Sequence, residues 1–215
     1  MNRKVKKKAA KADREWEIWE NDAMVARLEK EWSAEARNTL WSTIHTVIST
    51  HQVKNALDVA CGIGNDSVPI RLAGIDYTGV DRTEAMLRRA RKKFPGIRVM
   101  TGDIYKLQFP DSAFDMVLCS DLLIHLPVFE EAVRELYRVT RKVLVLKLAY
   151  IWDQPTRVLI TPKGTVINVQ FNRSQVCETL HRVGFQKVES MALSETEIGS
   201  QANRDPRQVF VATKR

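Results

Sequence analysis

The 215 residues carry 34 lysines and arginines against 26 aspartates and glutamates, a formal net charge of +8, with 44% hydrophobic but only 7% aromatic residues. That length suits one α/β domain with a substantial core and leaves little room for a second. Cys61, Cys119 and Cys177 are odd in number and widely spaced, against a disulfide framework or zinc knuckle, and no run approaches the ~20 apolar residues of a membrane span, so a cytoplasmic protein is expected.

Residues 1–12 hold Arg3, Lys4, Lys6, Lys7, Lys8 and Lys11 and no acid, so six of the eight net charges belong to a basic, flexible tail. A solvated arm is the plain reading, and an RNA guide the sharper one. Residues 13–52 are expected to form N-terminal cap helices, because Trp16, Trp19, Met24, Leu28, Trp32, Leu40, Ile44 and Val47 recur mostly at three- and four-residue steps. Residues 53–215 then alternate. Strands are expected at 56–61, 76–81, 97–101, 114–120 and 142–149, with helices at 65–73, 83–94 and 128–139, the pattern of a parallel sheet covered on both faces. The basic residues Arg88, Arg89, Arg91, Lys92 and Lys93 read as the solvated face of the 83–94 helix. Beyond Tyr150, segments 157–160 and 165–171 flank Thr161-Pro162-Lys163-Gly164 as a hairpin, a helix spans 174–183 before Gly184, and strands come after it at 185–191 and 208–213.

The most informative stretch runs from Ala56 to Asp66. An apolar run, Ala56, Leu57, Val59 and Ala60, ends in Cys61-Gly62-Ile63-Gly64 and passes into a helix, which is a nucleotide-binding turn. Gly62 and Gly64 permit positive φ and close approach of a ligand, and Asp58 can reach the same crevice. Asp81 closes the next strand at about the distance of a carboxylate that binds ribose hydroxyls. The dinucleotide fold would place a third glycine at position 67, where this chain has Ser67.

The turn Asp58-x-x-Cys61-Gly62-x-Gly64, the strand-end Asp81 and Gly102-Asp103-Ile104 together resemble the class I S-adenosylmethionine-dependent methyltransferases, over roughly Ala56 to Val145. Ala60 departs from the family, which usually has glycine there; as the smallest change possible it should cost little binding. The resemblance implies a Rossmann-like three-layer sandwich: a mostly parallel seven-stranded sheet with its last strand antiparallel, N-terminal cap helices, and a β-hairpin insertion after the fifth strand. It implies S-adenosylmethionine as cofactor, with Ala60, Cys61, Gly62 and Gly64 at its methionine part and Asp58 toward its ammonium. Asp81 would take the ribose hydroxyls, Arg82 or Thr83 would flank the adenine, and Asp103 and Ile104 would hold that ring, with Ser120 nearby. Trp16 or Trp19 would close the crevice as part of a lid.

Methyl transfer from a sulfonium needs positioning and, for a hydroxyl-like acceptor, a base. His125, in Ser120-Asp121-Leu122-Leu123-Ile124-His125, is the best of four histidines for that task, since His45, His51 and His181 read as helix-surface or packing residues. Lys147 is costly to bury in the fifth strand without a partner; the plain reading is a strand-end lysine that snorkels to solvent, and the sharper one is a crevice lysine paired with Asp121. Such a pair resembles part of the lysine-aspartate-lysine-glutamate set of RNA ribose 2′-O-methyltransferases. The expected acceptor is a small molecule methylated at oxygen or nitrogen. Alternatives are RNA or protein methylation guided by the basic tail, and a non-catalytic cofactor-binding partner subunit. Exocyclic base amines are disfavoured, since no Asp/Asn-Pro-Pro-aromatic run follows the fourth strand, and no metal is expected.

Overall fold

The computed structural model describes residues 19–31, 38–126, 128–149, 151–160, 167–192 and 207–214; the basic tail, Trp16, Trp32 and the Thr161-Pro162-Lys163-Gly164 turn lie outside them. In chain order the elements are α1 (Asp22–Glu31), α2 (Asn38–Thr50), β1 (Asn55–Val59), α3 (Ser67–Leu72), β2 (Asp76–Asp81), α4 (Glu84–Lys93), β3 (Val99–Thr101), β4 (Phe114–Ser120), α5 (Phe129–Val139), β5 (Thr140–Leu148), β6 (Ile151–Trp152), β7 (Arg157–Ile160), β8 (Ile167–Asn172), α6 (Arg173–Val183), β9 (Lys187–Ala192) and β10 (Gln208–Thr213). A single 3₁₀ turn, Leu123–His125, comes after β4.

Seven strands form one sheet in the order β3-β2-β1-β4-β5-β10-β9. The first five run parallel, and β10 enters antiparallel between β5 and β9. Strand order reverses between β1 and β4, so their carboxyl ends open the crevice where ligands of such sheets bind. The two-residue side-chain period of each strand divides the core into two layers. Leu57, Val59, Val117, Cys119, Leu144 and Leu146 face α5 and α6 through Leu136, Val139, Val176 and Leu180. Ala56, Met116, Leu118, Val143, Val145 and Val209 face α2 and α3 through Leu40, Ile44, Val47 and Ile70. Nearly unbroken burial along β4 and β5 explains why both read as continuous apolar runs.

The insertion after β5 is larger than a hairpin. β7 and β8 pair antiparallel as expected, but the two residues of β6 add to β8 in parallel, giving a separate three-stranded sheet. The side chain of Asn172 caps α6 by accepting the Gln175 N–H at 3.1 Å, and Gly184 ends that helix at φ 123°, where a Cβ would strike Tyr137. β3 spans three residues instead of five, because Val99, Met100 and Thr101 pair with β2 alone at the sheet edge.

Candidate active site

The chain leaves β1 through a left-handed turn. Ala60 stands at φ 63°, Gly62 at 53° and Gly64 at 77°, so alanine occupies a backbone conformation that costs an L-residue about 1–2 kcal/mol. A Cβ on Gly64 would meet Ile97 at 2.8 Å and Ala90 and Phe94 at 3.5 Å, so this glycine lets the turn pack against α4. The Cys61 N–H is spent on the Val80 carbonyl at 3.0 Å, and its buried thiol is pushed far above the usual range by burial and then by Asp58 and Asp81.

Asp81, at the end of β2, organises the turn. One carboxylate oxygen accepts the Gly62 N–H and the other the Thr83 N–H, each at 2.8 Å. The Thr83 side chain bonds the same carboxylate, and the acceptor capacity that is left suits a hydroxyl group such as those of a ribose. Burial raises the Asp81 carboxyl above its usual value, opposed by the N–H bonds from Thr83 and Gly62, with Glu20 adding to the rise. Asp58, at 1% exposure, accepts the Tyr77 hydroxyl at 2.8 Å. Tyr77 was not legible as a site residue, although in the β1–β2 register it pairs with Ala56, two positions from Asp58 on the same sheet face.

The remaining expected cofactor residues stand in different surroundings. Asp103 accepts the Tyr105 N–H at 3.0 Å and so stabilises its own turn, while Ile104 is buried in the core layer toward α5. Arg82 is exposed beside buried Thr83. Ser120 closes β4 opposite Lys147 in the strand register.

On the β4–β5 side the Lys147 ammonium meets Asp121 Oδ2 at 2.5 Å. The lysine side chain is 5% exposed and the aspartate 34%, so the pair spans the boundary between core and crevice. Asp121 is itself left-handed, at φ 56°, with its N–H on the Lys147 carbonyl at 2.9 Å. Non-glycine residues in this conformation persist where the surroundings over-determine them, and Ala60 and Asp121 stand at the two strand ends that open the crevice.

His125 Nδ1 lies 2.9 Å from the Ile167 carbonyl of β8. A carbonyl can only accept, so Nδ1 carries the proton and a neutral His125 has its free lone pair on Nε2. Burial lowers the His125 pKa below its usual value, against the opposing pull of the Ile167 bond and Asp121. The imidazole is therefore neutral at pH 7, a base with a fixed tautomer. Ile167 lies far along the chain, which hid this contact from sequence reasoning.

Trp19 reaches across from the N-terminal segment, with its ring 5.9 Å from that of His125. Met24, Val25 and Trp19 pack with Ile63 of the turn and Ala85 and Met86 of α4. The basic face of α4 is solvent-exposed at Arg88, Arg91, Lys92 and Lys93, as expected, and most of it also carries ion pairs. Arg88 pairs with Asp22 at 3.6 Å, Lys93 with Glu29 at 3.5 Å, Arg89 also with Glu29, and Arg91 with Glu84 at 2.7 Å. Among the described residues no three His, Cys, Asp or Glu side chains gather as metal ligands, and no helix is long and apolar enough to cross a membrane.

A methyltransferase-domain family model matches residues 57–144. Over 111 residues the chain is 32% identical to demethylmenaquinone methyltransferase of Renibacterium salmoninarum, covering 50% of this chain and 47% of that protein. Over 120 residues it is 31% identical to malonyl-[acyl-carrier protein] O-methyltransferase of Pectobacterium atrosepticum, covering 56% and 47%. The chain thus spans about half the length of these curated relatives. In fold it is similar to Burkholderia thailandensis 1,6-didemethyltoxoflavin-N1-methyltransferase, solved with S-adenosylhomocysteine, at a TM-score of 0.71 and 18% identity over 89% of this chain and 84% of that one. The domain match begins in β1 and ends in β5, and in this matched segment and its sheet order the chain is similar to the class I S-adenosylmethionine-dependent methyltransferases.

Proposed function

We propose that this chain transfers a methyl group from S-adenosylmethionine to an oxygen or nitrogen atom of a small-molecule acceptor. The observation that carries the reading is His125, whose Nδ1–H is held by the Ile167 carbonyl so that Nε2 is left as a neutral base. The cofactor, when bound, supplies an electrophilic methyl and a good leaving group. The residues around it have the simpler tasks of holding, orienting and drying the site.

Asp81 and the turn at Ala60, Cys61, Gly62 and Gly64 hold the cofactor's ribose and methionine ends. Asp103, Ile104, Arg82 and Ser120 border its base, and Asp58, tied to Tyr77, shapes the floor. Trp19 covers the crevice from the N-terminal side and excludes water. His125 Nε2 takes the proton that the acceptor hydroxyl or N–H must lose, and the Lys147–Asp121 pair orients the acceptor beside it. The names of two similar proteins, a demethylmenaquinone methyltransferase and a 1,6-didemethyltoxoflavin-N1-methyltransferase, support a small-molecule acceptor.

One observation favours RNA ribose methylation as a second reading: the Lys147–Asp121 contact at 2.5 Å resembles two members of the four-residue set of those enzymes, the other two having no counterpart assigned in this chain. Against it, α4 spends much of its positive charge on Asp22, Glu29 and Glu84. The experiment is a titration with S-adenosylmethionine beside Asp81→Ala, then methyl transfer from labelled cofactor to a panel of small phenols, amines and carboxylates and to total RNA. Binding lost in Asp81→Ala with label in a small molecule is the expected result. Binding of neither the cofactor nor its demethylated product overturns the reading.

A further inference from the structure

α4 is capped from outside its own sequence. Thr83 stands at its N-cap yet makes no side-chain capping bond, and the carboxylate of Glu20, more than sixty residues earlier, accepts the N–H groups of Glu84 at 3.1 Å and Ala85 at 3.2 Å. Trp19 precedes Glu20 directly, so the anchor and the ring over His125 are adjacent links of one chain. The next residues tighten the same hold. Asn21 accepts the N–H groups of Ala23 and Met24 at 2.9 and 3.1 Å and starts α1, whose Asp22 and Glu29 pair with α4.

We propose that Glu20 is a positioning residue for the reaction: by capping α4 it seats Trp19 over His125 and closes the acceptor side of the crevice. Resting on the methyl-transfer reading above, the inference assigns a task to a residue that touches neither cofactor nor acceptor. Charge and geometry make the seat specific. An N-terminal helix end favours an anion, whereas Asp81 beside it repels one, so Glu20 holds only while both of its oxygens are matched to the two N–H groups. His125 faces Trp19, the Ile167 carbonyl and Asp121, and Asp121 is already engaged by Lys147. Unseating Trp19 therefore alters the solvent exposure of His125 without breaking its other bonds.

The test reads His125 directly in the full chain, with no acceptor present. Each histidine is carbethoxylated by diethyl pyrocarbonate and located by peptide mapping in the unaltered protein, Glu20→Ala, Glu20→Gln and Trp19→Ala. Exposed His181, whose ring bonds the Phe185 carbonyl at 3.0 Å, is the internal reference for reagent reactivity, and circular dichroism melts of each variant report global unfolding. The expected result is a rise in the His125 rate of about three- to tenfold in Glu20→Ala, the span of a lost helix cap. Trp19→Ala should give a similar rise, Glu20→Gln, which turns an amide donor toward one of the two N–H groups, should also lose protection, and the His181 rate should not change. An unchanged His125 rate in either alanine variant overturns the proposal, as does a rise shared equally by His181. Because no turnover is required, a chain that methylates nothing still tests the latch, and active enzyme with an unaltered His125 rate overturns the latch alone.

Discussion

The Asp81 carboxylate holds the Gly62 N–H at 2.8 Å, so the acid that ends β2 props the turn at the end of β1. Its other oxygen holds Thr83 at the start of α4. Asp81→Asn presents one acceptor and one amide donor to two N–H groups, so both the turn and the proposed ribose contacts should suffer. Cofactor affinity should fall by about 10²-fold, with about 1–2 kcal/mol lost in stability, read by calorimetric titration and urea denaturation. The raised carboxyl adds a pH signature. A group with a folded-state pKa above its unfolded value contributes stability at low pH and loses it as pH rises through the folded value. Cofactor binding runs the other way, weakening on acidification at a pH above the usual carboxylate value of 3.8.

Much of this arrangement was legible in the sequence because the signals are local. The glycine turn, the apolar runs of β4 and β5, and Gly184 after α6 each act through neighbours along the chain. The sheet order itself entered through the family resemblance. What escaped depends on distant partners. Glu20 reaches Glu84 and Ala85, His125 reaches Ile167, and Asp58 meets Tyr77 only once β1 and β2 are in register. The cost of burying a lysine made Lys147–Asp121 one of two readings, and the plainer one, a lysine snorkelling to solvent, is corrected by a side chain only 5% exposed and paired with Asp121. β6 escaped for another reason: two residues, Ile151 and Trp152, carry no periodicity.

Ala60 offers a clean stability test. It holds φ 63° where glycine would be unstrained. Ala60→Gly relieves about 1–2 kcal/mol of backbone strain and costs roughly 0.5–1 kcal/mol through the added freedom of the unfolded chain. The net gain of about 0.5–1 kcal/mol should raise the melting temperature by about 1–3 °C with the cofactor affinity little changed. A drop in melting temperature would mean that the alanine methyl makes packing contacts worth more than the strain.

The Lys147–Asp121 pair should respond asymmetrically, because the lysine is buried and the aspartate is one-third exposed. Asp121→Asn strands an ammonium in the core and should cost about 2–3 kcal/mol, below the full buried-pair figure because water reaches this side. Lys147→Met leaves a carboxylate that can turn to solvent and should cost about 1 kcal/mol. Urea denaturation of both single variants and the double variant measures the coupling. The double variant should be more stable than Asp121→Asn alone, since the stranded charge is gone.

The pH dependence of turnover carries the most direct information about His125. Burial lowers its pKa from 6.5, so the neutral form with a free Nε2 persists to lower pH than in an exposed imidazole. For stability the sign comes from the lowered value: the contribution is full above the unfolded pKa near 6.5 and is lost as pH falls through the folded one. For kcat/KM the acid limb should fall at a pH below 6.5, with a unit slope from one protonation. His125→Gln should lower kcat/KM by about 10²- to 10⁴-fold and abolish that limb, whereas cofactor affinity should stay near that of the unaltered chain. Full turnover in His125→Gln would assign the proton to solvent and leave the imidazole as the link between β8 and the 3₁₀ turn after β4. An acid limb that survives in that variant would instead report another group, and Asp81, with its raised carboxyl, is then distinguished by tracking cofactor binding over the same pH range.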